Sequence, residues 1–383
     1  MHQSLLRVPR FFPIFLCPCS WLHHSRNGPV LAVPTIVMFL LFFKELVSIH
    51  IYYITNLSEC YYLRGRAPLP PGQKLTITLR YLATGHSYRS LAFEFRVAHN
   101  TMSQFLPRVC RAIYDEYRRE LFHRPDNPDE WREVATRFGQ KWNFHHCCGA
   151  IDGKHVAIKK PKKSGSLYYN YKGFHSIILL AVVDADYRFI WANVGANGSA
   201  SDCGVFNRSE LHTKLEENTL DVPYFLVGDD AFPLRTFMMK PFSQRGLTNA
   251  ERIFNYRLSR VRRVVENAFG ILAHRWRCLL TTLQQTPDNC TEIVLGCMTL
   301  HNLLRSRAPG LQAGEVDTED ADGNVVPGAW RQTVDPTDFP TVGGRRPTRA
   351  GKLQRVYLSD YYNAHFCQLY SYLCVLVICV IYM

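Results

Sequence analysis

The sequence predicts an α/β protein in which a mixed sheet with flanking helices follows a small all-helical region. Residues 147–304 alternate short apolar runs of strand length with amphipathic patterns of helical period, whereas residues 59–146 contain only the helical kind. The chain has 383 residues, of which 47% are hydrophobic and 20% are charged. This composition supplies a substantial core and excludes a mainly disordered or collagen-like chain.

Charge and cysteine content narrow the class of partner and the cellular compartment. Lys and Arg number 45 against 32 Asp and Glu, which gives a formal net charge of +13. Such an excess favours a polyanionic partner, either nucleic acid or an anionic membrane surface. The 13 cysteines include no Cys-x-x-Cys pair, so the sequence contains no zinc-ribbon motif and fits a reducing intracellular compartment.

The two ends of the chain differ in composition from the middle. Residues 1–58 form an atypical apolar extension, and residues 363–383 form an apolar tail in which residues 366–383 carry no charge. A bilayer span needs about 20 apolar residues. The tail therefore predicts either a membrane anchor or an extension foreign to the working domain. Residues 305–362, before the tail, contain a Gly-, Pro- and Asp-rich linker and a C-terminal segment.

The helical region begins with two short helices. Leu75, Leu79 and Leu82 lie on one face of the first helix, which Gly85 can terminate. Ser87 is placed to cap the second helix, because serine side chains accept hydrogen bonds from the free amides of a first turn.

A third helix gives this region a helix-turn-helix outline. We expect it to open with a capping box of Thr101 and Gln104 and to be kinked at Pro107. Helix-turn-helix outlines are unspecific, so a plain helical packing module is the alternative. The polar residues that would face a DNA groove are Asn100, Ser103, Gln104 and Arg108.

Four apolar runs predict the strands of the α/β domain, and the second of them is typical of a buried central strand. Asp184 and Asp186 are expected to occupy the turn between the second and third strands. The four runs are Cys148–Lys159, His175–Val183, Tyr187–Val194 and Tyr224–Val227.

Two helices complete the predicted domain. Asp202 is placed to cap a helix over Cys203–Glu217. A long helix opens at the capping box of Thr248 and Glu251 and buries one apolar stripe, which leaves Glu266 beside it.

The predicted order is three antiparallel strands, a helix, a fourth strand and a long helix, which is the order of a ribonuclease H-like fold. The first and fourth strands are then neighbours, so Asp152 and Asp229 can converge at one edge of the sheet. The last helix would pack Glu266 against them. The alternative is that these acids only form salt bridges or cap helices.

Crowded carboxylates predict a metal site, because like charges repel and raise each other's pKa. A pair of Mg²⁺ ions removes that penalty. Two such ions about 4 Å apart activate a water and stabilise a leaving oxygen in phosphoryl transfer. The acids therefore predict a two-metal phosphoryl-transfer site.

Five sequence blocks are informative through their order and spacing: GAIDGKHVAI, YNYKGFHSIILLAVVDADYRF, GSASDCGVF, LVGDDAFPL and VVENAFGILAHRWR. Together they resemble the DDE endonuclease domain of PIF/Harbinger transposases, the group that includes the Harbinger transposase-derived nucleases. The resemblance extends from about residue 60 to Tyr362. Lys154 and the double acid Asp229-Asp230 depart from the usual family pattern.

The resemblance implies roles for individual acids. Asp152, Asp229 and Glu266 fall on the catalytic acids of the family, and Asp202 falls on a further metal ligand. All four would bind a divalent cation, Mg²⁺ or else Mn²⁺. The implied activity is a metal-dependent DNA endonuclease of transposase descent, in which water or a 3′-hydroxyl attacks the phosphodiester in line. Asp202 as a helix cap alone is the alternative for that residue.

Basic residues near the acids are the candidates for nucleic-acid binding, since Lys and Arg contact phosphates without sequence preference. The alternative is a solvated basic face, and Arg262 could instead pair with Glu266 one turn further on. The candidates are Lys154, Lys159, Lys160, Arg262 and Arg263.

The resemblance also implies a cellular setting. DNA is the expected partner, a Myb-like DNA-binding protein is a second one, and the nucleus is the expected location. Two rival functions stay open: a catalytically inactive domesticated transposase that binds DNA, and a membrane-tethered form anchored through residues 366–383. The sequence leaves the oligomeric state open, a homo-oligomer included.

Overall fold

The computed structural model describes most of the chain between residues 69 and 364. The described residues are 69–122, 125, 127–217, 223–243, 245–308, 316–320, 325–332 and 347–364. The apolar extension 1–58 and the uncharged stretch 366–383 lie outside them, so the anchor stays a prediction. Across the described part of the chain, no helix combines the length and apolar character that a membrane span requires.

Among the described residues, four helices precede the sheet, and the predicted boundary between the first two of these is confirmed. Gly85 ends the first helix in the left-handed conformation, with φ of 68°, which glycine adopts without strain. Ser87 caps the second helix, because its Oγ accepts a hydrogen bond from the Ser90 amide. The helices are α1 (Pro71–Thr84), α2 (Tyr88–Phe95), α3 (His99–Leu121) and α4 (Pro128–Trp142).

Helix α3 starts earlier than predicted and contains Pro107 in its interior. It begins at His99 with no side-chain cap, so the predicted capping box of Thr101 and Gln104 is wrong. The helix starts earlier because Arg96, with φ of 53°, already ends α2 and redirects the chain. Pro107 lies inside the continuous helix.

A neighbouring side chain compensates for Pro107. Proline has no amide hydrogen, so it leaves the carbonyl four residues earlier without an intrahelical donor. That carbonyl belongs to Ser103, and it accepts a hydrogen bond from Gln285 Nε2 at 3.0 Å. Tertiary contact therefore lets the helix continue through a residue that is expected to interrupt it.

The main sheet has five strands in the order β3-β2-β1-β4-β5. β1–β2 and β2–β3 are antiparallel, whereas β1–β4 and β4–β5 are parallel. The predicted adjacency of the first and fourth strands is confirmed, and with flanking helices the arrangement is that of a ribonuclease H-like fold. The strands are β1 (Cys147–Ala157), β2 (Ser176–Val183), β3 (Phe189–Asn197), β4 (Phe225–Val227) and β5 (Met238–Met239).

Asp184 and Asp186 occupy the turn between β2 and β3, as predicted. Asp184 Oδ1 accepts hydrogen bonds from the amides of Asp186 at 2.8 Å and Arg188 at 2.9 Å. Tyr187 lies within this turn with φ of 63°. The left-handed residue delays the third strand, which begins at Phe189 and not at the predicted Tyr187.

Two short helices replace the single helix predicted after β3. They are α5 (Asp202–Asn207) and α6 (Glu210–Glu216). Ser201 caps α5 by accepting from the Gly204 amide at 3.1 Å, and Ser209 caps α6. The predicted capping role of Asp202 is therefore wrong.

Two long helices cover one face of the sheet. Helix α7 (Asn249–Arg275) opens with the predicted capping box of Thr248 and Glu251 and packs against β1. Helix α8 (Pro287–Arg307) packs against β3 and α3. On the opposite face, β2 residues share a core with α4, α5 and α6, so all eight β2 residues are buried as predicted.

Parts of the predicted linker are ordered against α7. Strands β6 (Thr318–Glu319) and β7 (Val325–Val326) form a small hairpin, followed by the 3₁₀ helix Ala329–Gln332. Trp330 covers Gly270, where a Cβ atom would lie 2.3 Å from the indole ring. Its Nε1 donates to Asn267 Oδ1 at 2.8 Å.

The C-terminal segment also returns to the domain. Residues 349–364 form helix α9. Its Tyr362 is buried and stacks on Phe144 with 4.7 Å between ring centroids. The Tyr362 hydroxyl donates to the carbonyl of His145, just before β1.

The buried His301 of α8 is expected to make the stability of the fold depend on pH. Burial is the main cause that lowers the pKa of His301 from 6.5 to about 3, with Nε2 at 2.8 Å from the Tyr187 carbonyl. Between these two values the unfolded chain binds a proton that the folded chain does not. Stability is therefore lost as pH falls through this window, by about 1.4 kcal/mol per pH unit from this group.

Urea unfolding between pH 7 and pH 4 tests this expectation. His301→Phe should remove the His301 contribution to the pH dependence, whatever its effect on stability at pH 7. The same change at exposed His99 should leave the pH dependence in place. Parallel pH profiles for the wild type and His301→Phe would contradict the assignment.

Candidate active site

Asp152 is a buried acid in the middle of the sheet. It lies in β1, opposite Ala181 of β2, and is 6% exposed. Its Oδ1 accepts a hydrogen bond from the Gly153 amide at 2.8 Å. Its Oδ2 is buried without a hydrogen-bond partner among the described residues. A buried carboxylate oxygen without a donor is costly, and it is chemically suited to a cation.

Asp229 lies two residues beyond the end of β4, the strand next to β1. Strands β1 and β4 are parallel, with Ala150 opposite Val227. Asp152 lies two residues after Ala150, and Asp229 lies two residues after Val227. Asp229 Oδ1 accepts from the Ala231 amide at 2.9 Å. The next acid, Asp230, is exposed and pairs with a lysine. The sheet register therefore brings Asp229 to Asp152.

Asp202 reaches the same strand from α5. A Cβ atom built on Gly153 would lie 2.2 Å from Asp202 Cγ. Glycine at position 153 therefore leaves the space that this carboxylate occupies. The position also explains why Ser201 caps the helix, since the Asp202 side chain is directed to β1.

Burial is the largest cause that raises the pKa of each of these carboxyl groups. For Asp152, the charges of Asp229 and Asp202 raise the pKa further, well above its ordinary value. For Asp202, the charge of Asp229 adds to burial and the pKa rises to about 6. The charges of Asp229 and Asp202 thus act on Asp152, and the role of these acids at a shared metal site stays a prediction.

Glu266 lies on α7, where it pairs with Arg262. Arg262 Nη2 lies 3.7 Å from Glu266 Oε1, one helical turn away. The same guanidinium lowers the pKa of Asp152 and of Asp229 against the effect of burial. Arg262 therefore lies among the acids, and its predicted alternative role as a partner of Glu266 is confirmed.

The acids are not arranged as a set of ligands around one metal ion. In the described ranges, no three His, Cys, Asp or Glu side chains stand close enough together to hold a metal ion. Like charges repel, and three of the acids contact nearby donors instead. Asp152 accepts from the Gly153 amide and Asp229 accepts from the Ala231 amide. Glu266 pairs with Arg262. The assignment of four acids as metal ligands stays a prediction.

The donor set nevertheless fits a divalent cation. Hard cations bind carboxylate oxygens, and Asp152 Oδ2 is buried with no donor among the described residues. A cation would also relieve the repulsion that raises the pKa of Asp152 and Asp202. DDE superfamily nucleases use divalent metals.

The predicted basic residues differ in burial. Arg262 and Arg263 are half-buried on α7, and Lys154 is half-buried on β1. Lys159 and Lys160 are exposed just beyond the end of β1. Their contacts to nucleic acid stay a prediction.

Two further cations near the acids emerge from the structure. Lys172 lowers the pKa of Asp202, and Arg331 lowers the pKa of Glu266 against the effect of burial. Arg331 is positioned by Asp317, whose Oδ2 lies 2.6 Å from Arg331 Nη2. Sequence reasoning did not connect Lys172 with Asp202. It missed Arg331, since nothing local links that linker residue to Glu266.

The fold and this acidic group together indicate the class of domain that this region forms. A ribonuclease H-like sheet with acids on β1, after β4 and on the facing helix is the arrangement of a DDE-type nuclease domain. Residues 151–302 match the family model described as DDE superfamily endonuclease, so this part of the chain is a domain of that superfamily.

The chain is homologous to the Harbinger transposase-derived protein HARBI1. It is 29% identical to the candidate nuclease HARBI1 of Bos taurus over 243 residues, which cover 63% of this chain and 68% of that protein. The Homo sapiens HARBI1 gives the same identity and coverage. An ALP1-like protein of Arabidopsis thaliana is 25% identical over 253 residues, 62% of this chain and 61% of the relative. No solved structure matches the chain significantly.

Proposed function

We propose that this protein is a divalent-metal-dependent DNA endonuclease of transposase descent. The observation that carries the proposal is that Asp152 on β1 and Asp229, just after the neighbouring parallel strand β4, each lie two residues beyond the paired Ala150 and Val227, with Asp202 against Gly153. Glu266 lies on α7, which packs against β1. The DDE superfamily domain and the relatives named as candidate nucleases support the same function.

Asp152, Asp202, Asp229 and Glu266 are the residues that would hold Mg²⁺ or Mn²⁺. Such ions, when bound, polarise the phosphodiester and make a water or 3′-hydroxyl a better nucleophile. The buried Asp152 and the half-buried Asp229 give fixed anchor points because each accepts a backbone hydrogen bond. Arg262 supplies a positive charge that can compensate the phosphate once Glu266 turns to a metal.

DNA is the proposed substrate because the chain has a net charge of +13 and basic residues lie on or just beyond β1 and on α7, the elements that carry Asp152 and Glu266. Lys154, Lys159 and Lys160 would contact phosphates from the β1 side, and Arg262 and Arg263 from α7. Such contacts give affinity that falls with salt and carries little sequence preference. A nuclear location, a Myb-like DNA-binding partner and homo-oligomerisation belong to the same proposal and rest on the family resemblance.

A second candidate is a domesticated transposase that holds DNA without cutting it. The observation that favours it is the Arg262–Glu266 ion pair, which keeps one proposed metal ligand occupied. In this alternative the basic surface keeps its role, and the acids contribute no catalysis.

A nicking assay on supercoiled plasmid with the full chain separates the two. We expect open circles to accumulate with Mg²⁺ or Mn²⁺ and not with EDTA. Plasmid that is retarded on a gel but stays supercoiled with either metal would overturn the nuclease proposal. It would support the DNA-binding alternative.

A further inference from the structure

The loop between β1 and β2 exposes aromatic side chains. Tyr169 is 49% exposed and Tyr171 is 61% exposed, although both rings are large and apolar. Leu167 beside them is 47% exposed. Neither the core nor the proposed catalytic chemistry accounts for this exposure.

The loop is held in a defined conformation. Asn170 is 2% exposed, and its Oδ1 accepts hydrogen bonds from the amides of Lys172 at 3.0 Å and Phe174 at 3.2 Å. Its Nδ2 donates to Ser176 Oγ at 2.9 Å, at the start of β2. The tyrosines on either side of Asn170 therefore project from a turn that the sheet supports.

The same loop lies beside the acidic group. The Leu167 carbonyl accepts a hydrogen bond from Ser199 Oγ at 2.7 Å, three residues before Asp202. Gly198 packs so closely that a Cβ atom there would lie 2.6 Å from the Tyr168 carbonyl. Lys172 in the loop is near enough to influence the Asp202 carboxylate.

Positive charge accompanies the exposed rings. Lys172 Nζ lies 5.7 Å from the centre of the Tyr171 ring, a cation–π distance. Four more lysines are exposed in the same loop, so a purely apolar partner would leave their charges unmatched. The four are Lys159, Lys160, Lys162 and Lys163.

We propose that Tyr169 and Tyr171, with Lys172, form a stacking platform for unpaired bases of the nucleic-acid strand that enters the acidic site. Exposed aromatic rings interleaved with cations are the chemistry that binds single strands, since every base presents a face that can stack. The inference rests on the proposed function, because it assigns to that site a preference for distorted or single-stranded substrate near the cut.

Binding measurements in EDTA test the platform separately from cleavage. Fluorescence anisotropy of a labelled single-stranded oligonucleotide and of a blunt duplex would be compared on the full chain. Tyr171→Ala should weaken single-strand binding about 10-fold, and Tyr169→Ala/Tyr171→Ala should weaken it further. Duplex affinity should change less than about twofold, because duplex binding depends on phosphate contacts. Tyr171→Phe should keep the wild-type affinity, since the ring is retained.

Tyr357 offers a matched control, because it is 57% exposed but belongs to α9. Tyr357→Ala should leave single-strand affinity unchanged. Equal single-strand affinities for the wild type and Tyr169→Ala/Tyr171→Ala, or no single-strand binding by the wild type, would overturn the platform. If the plasmid stays uncut but single-strand binding depends on the tyrosines, the nuclease proposal fails and the platform stands.

Discussion

Asp152→Asn is expected to reduce metal-dependent nicking by at least about 10³-fold while the fold is retained. Asparagine keeps the size of the side chain and an oxygen that can accept the Gly153 amide. It removes the negative charge that a divalent cation needs at this buried position. Initial nicking rates on supercoiled plasmid measure the effect.

The same substitution should stabilise the protein in EDTA at neutral pH. Burial and the charges of Asp229 and Asp202 raise the pKa of Asp152. A group with a raised folded pKa loses its stabilising effect as pH rises through that value, so the ionised Asp152 disfavours folding at pH 7. Thermal unfolding of Asp152→Asn should therefore occur at a higher temperature. Added Mg²⁺ should stabilise the wild type and not the variant.

Asp230→Asn is the control for both measurements. Asp230 is also an aspartate and follows Asp229 directly, but its side chain is 54% exposed and pairs with Lys240 at 3.2 Å. Nicking by this variant should stay within about twofold of wild type, as for an exposed ion pair. An unchanged nicking rate in Asp152→Asn would rule out its catalytic assignment.

Gly153→Ala is expected to reduce nicking about 100-fold, because it displaces Asp202. The added Cβ would lie 2.2 Å from Asp202 Cγ, so the carboxylate must move. Displacement of a catalytic group by about 1 Å can lower a rate about 100-fold. Plasmid nicking with circular dichroism as a check on folding measures this effect.

A double-mutant cycle with Asp202→Ala tests whether Gly153→Ala acts through the Asp202 carboxylate. Once the carboxylate is absent, the alanine at position 153 has nothing to displace there, so the two effects should not add. Gly72→Ala is the control, because a Cβ atom at Gly72 meets nothing within 4 Å. Nicking by Gly153→Ala at the rate of Gly72→Ala would contradict a role for the Asp202 position.

Much of the α/β domain could be predicted because its signals are local. The apolar run of β2 and the capping box of Thr248 and Glu251 each depend on neighbours within a few residues. Helix α8 was not assigned from the sequence. It is buried on nearly all sides, so its apolar residues show no single stripe to detect.

Contacts from distant residues are not visible in the local sequence. Gln285 supplies a donor to the Ser103 carbonyl that Pro107 leaves without its helical partner. Asp202 was expected to cap α5, but the space beside Gly153 receives its side chain. In each case the competing contact comes from another element and leaves no mark in the adjacent sequence.

The sequence by itself determined four of the five strands of the main sheet and their order, with Asp152 on the first, Asp229 just after the fourth and Glu266 on the long helix, because periodicity and turn chemistry act over a few residues. Only the tertiary structure decided the electrostatic setting. It placed Arg262 among the acids, brought Arg331 to Glu266 and buried the carboxylates deeply enough to raise their pKa values. Charge interactions and desolvation depend on distance in space, which chain spacing does not specify.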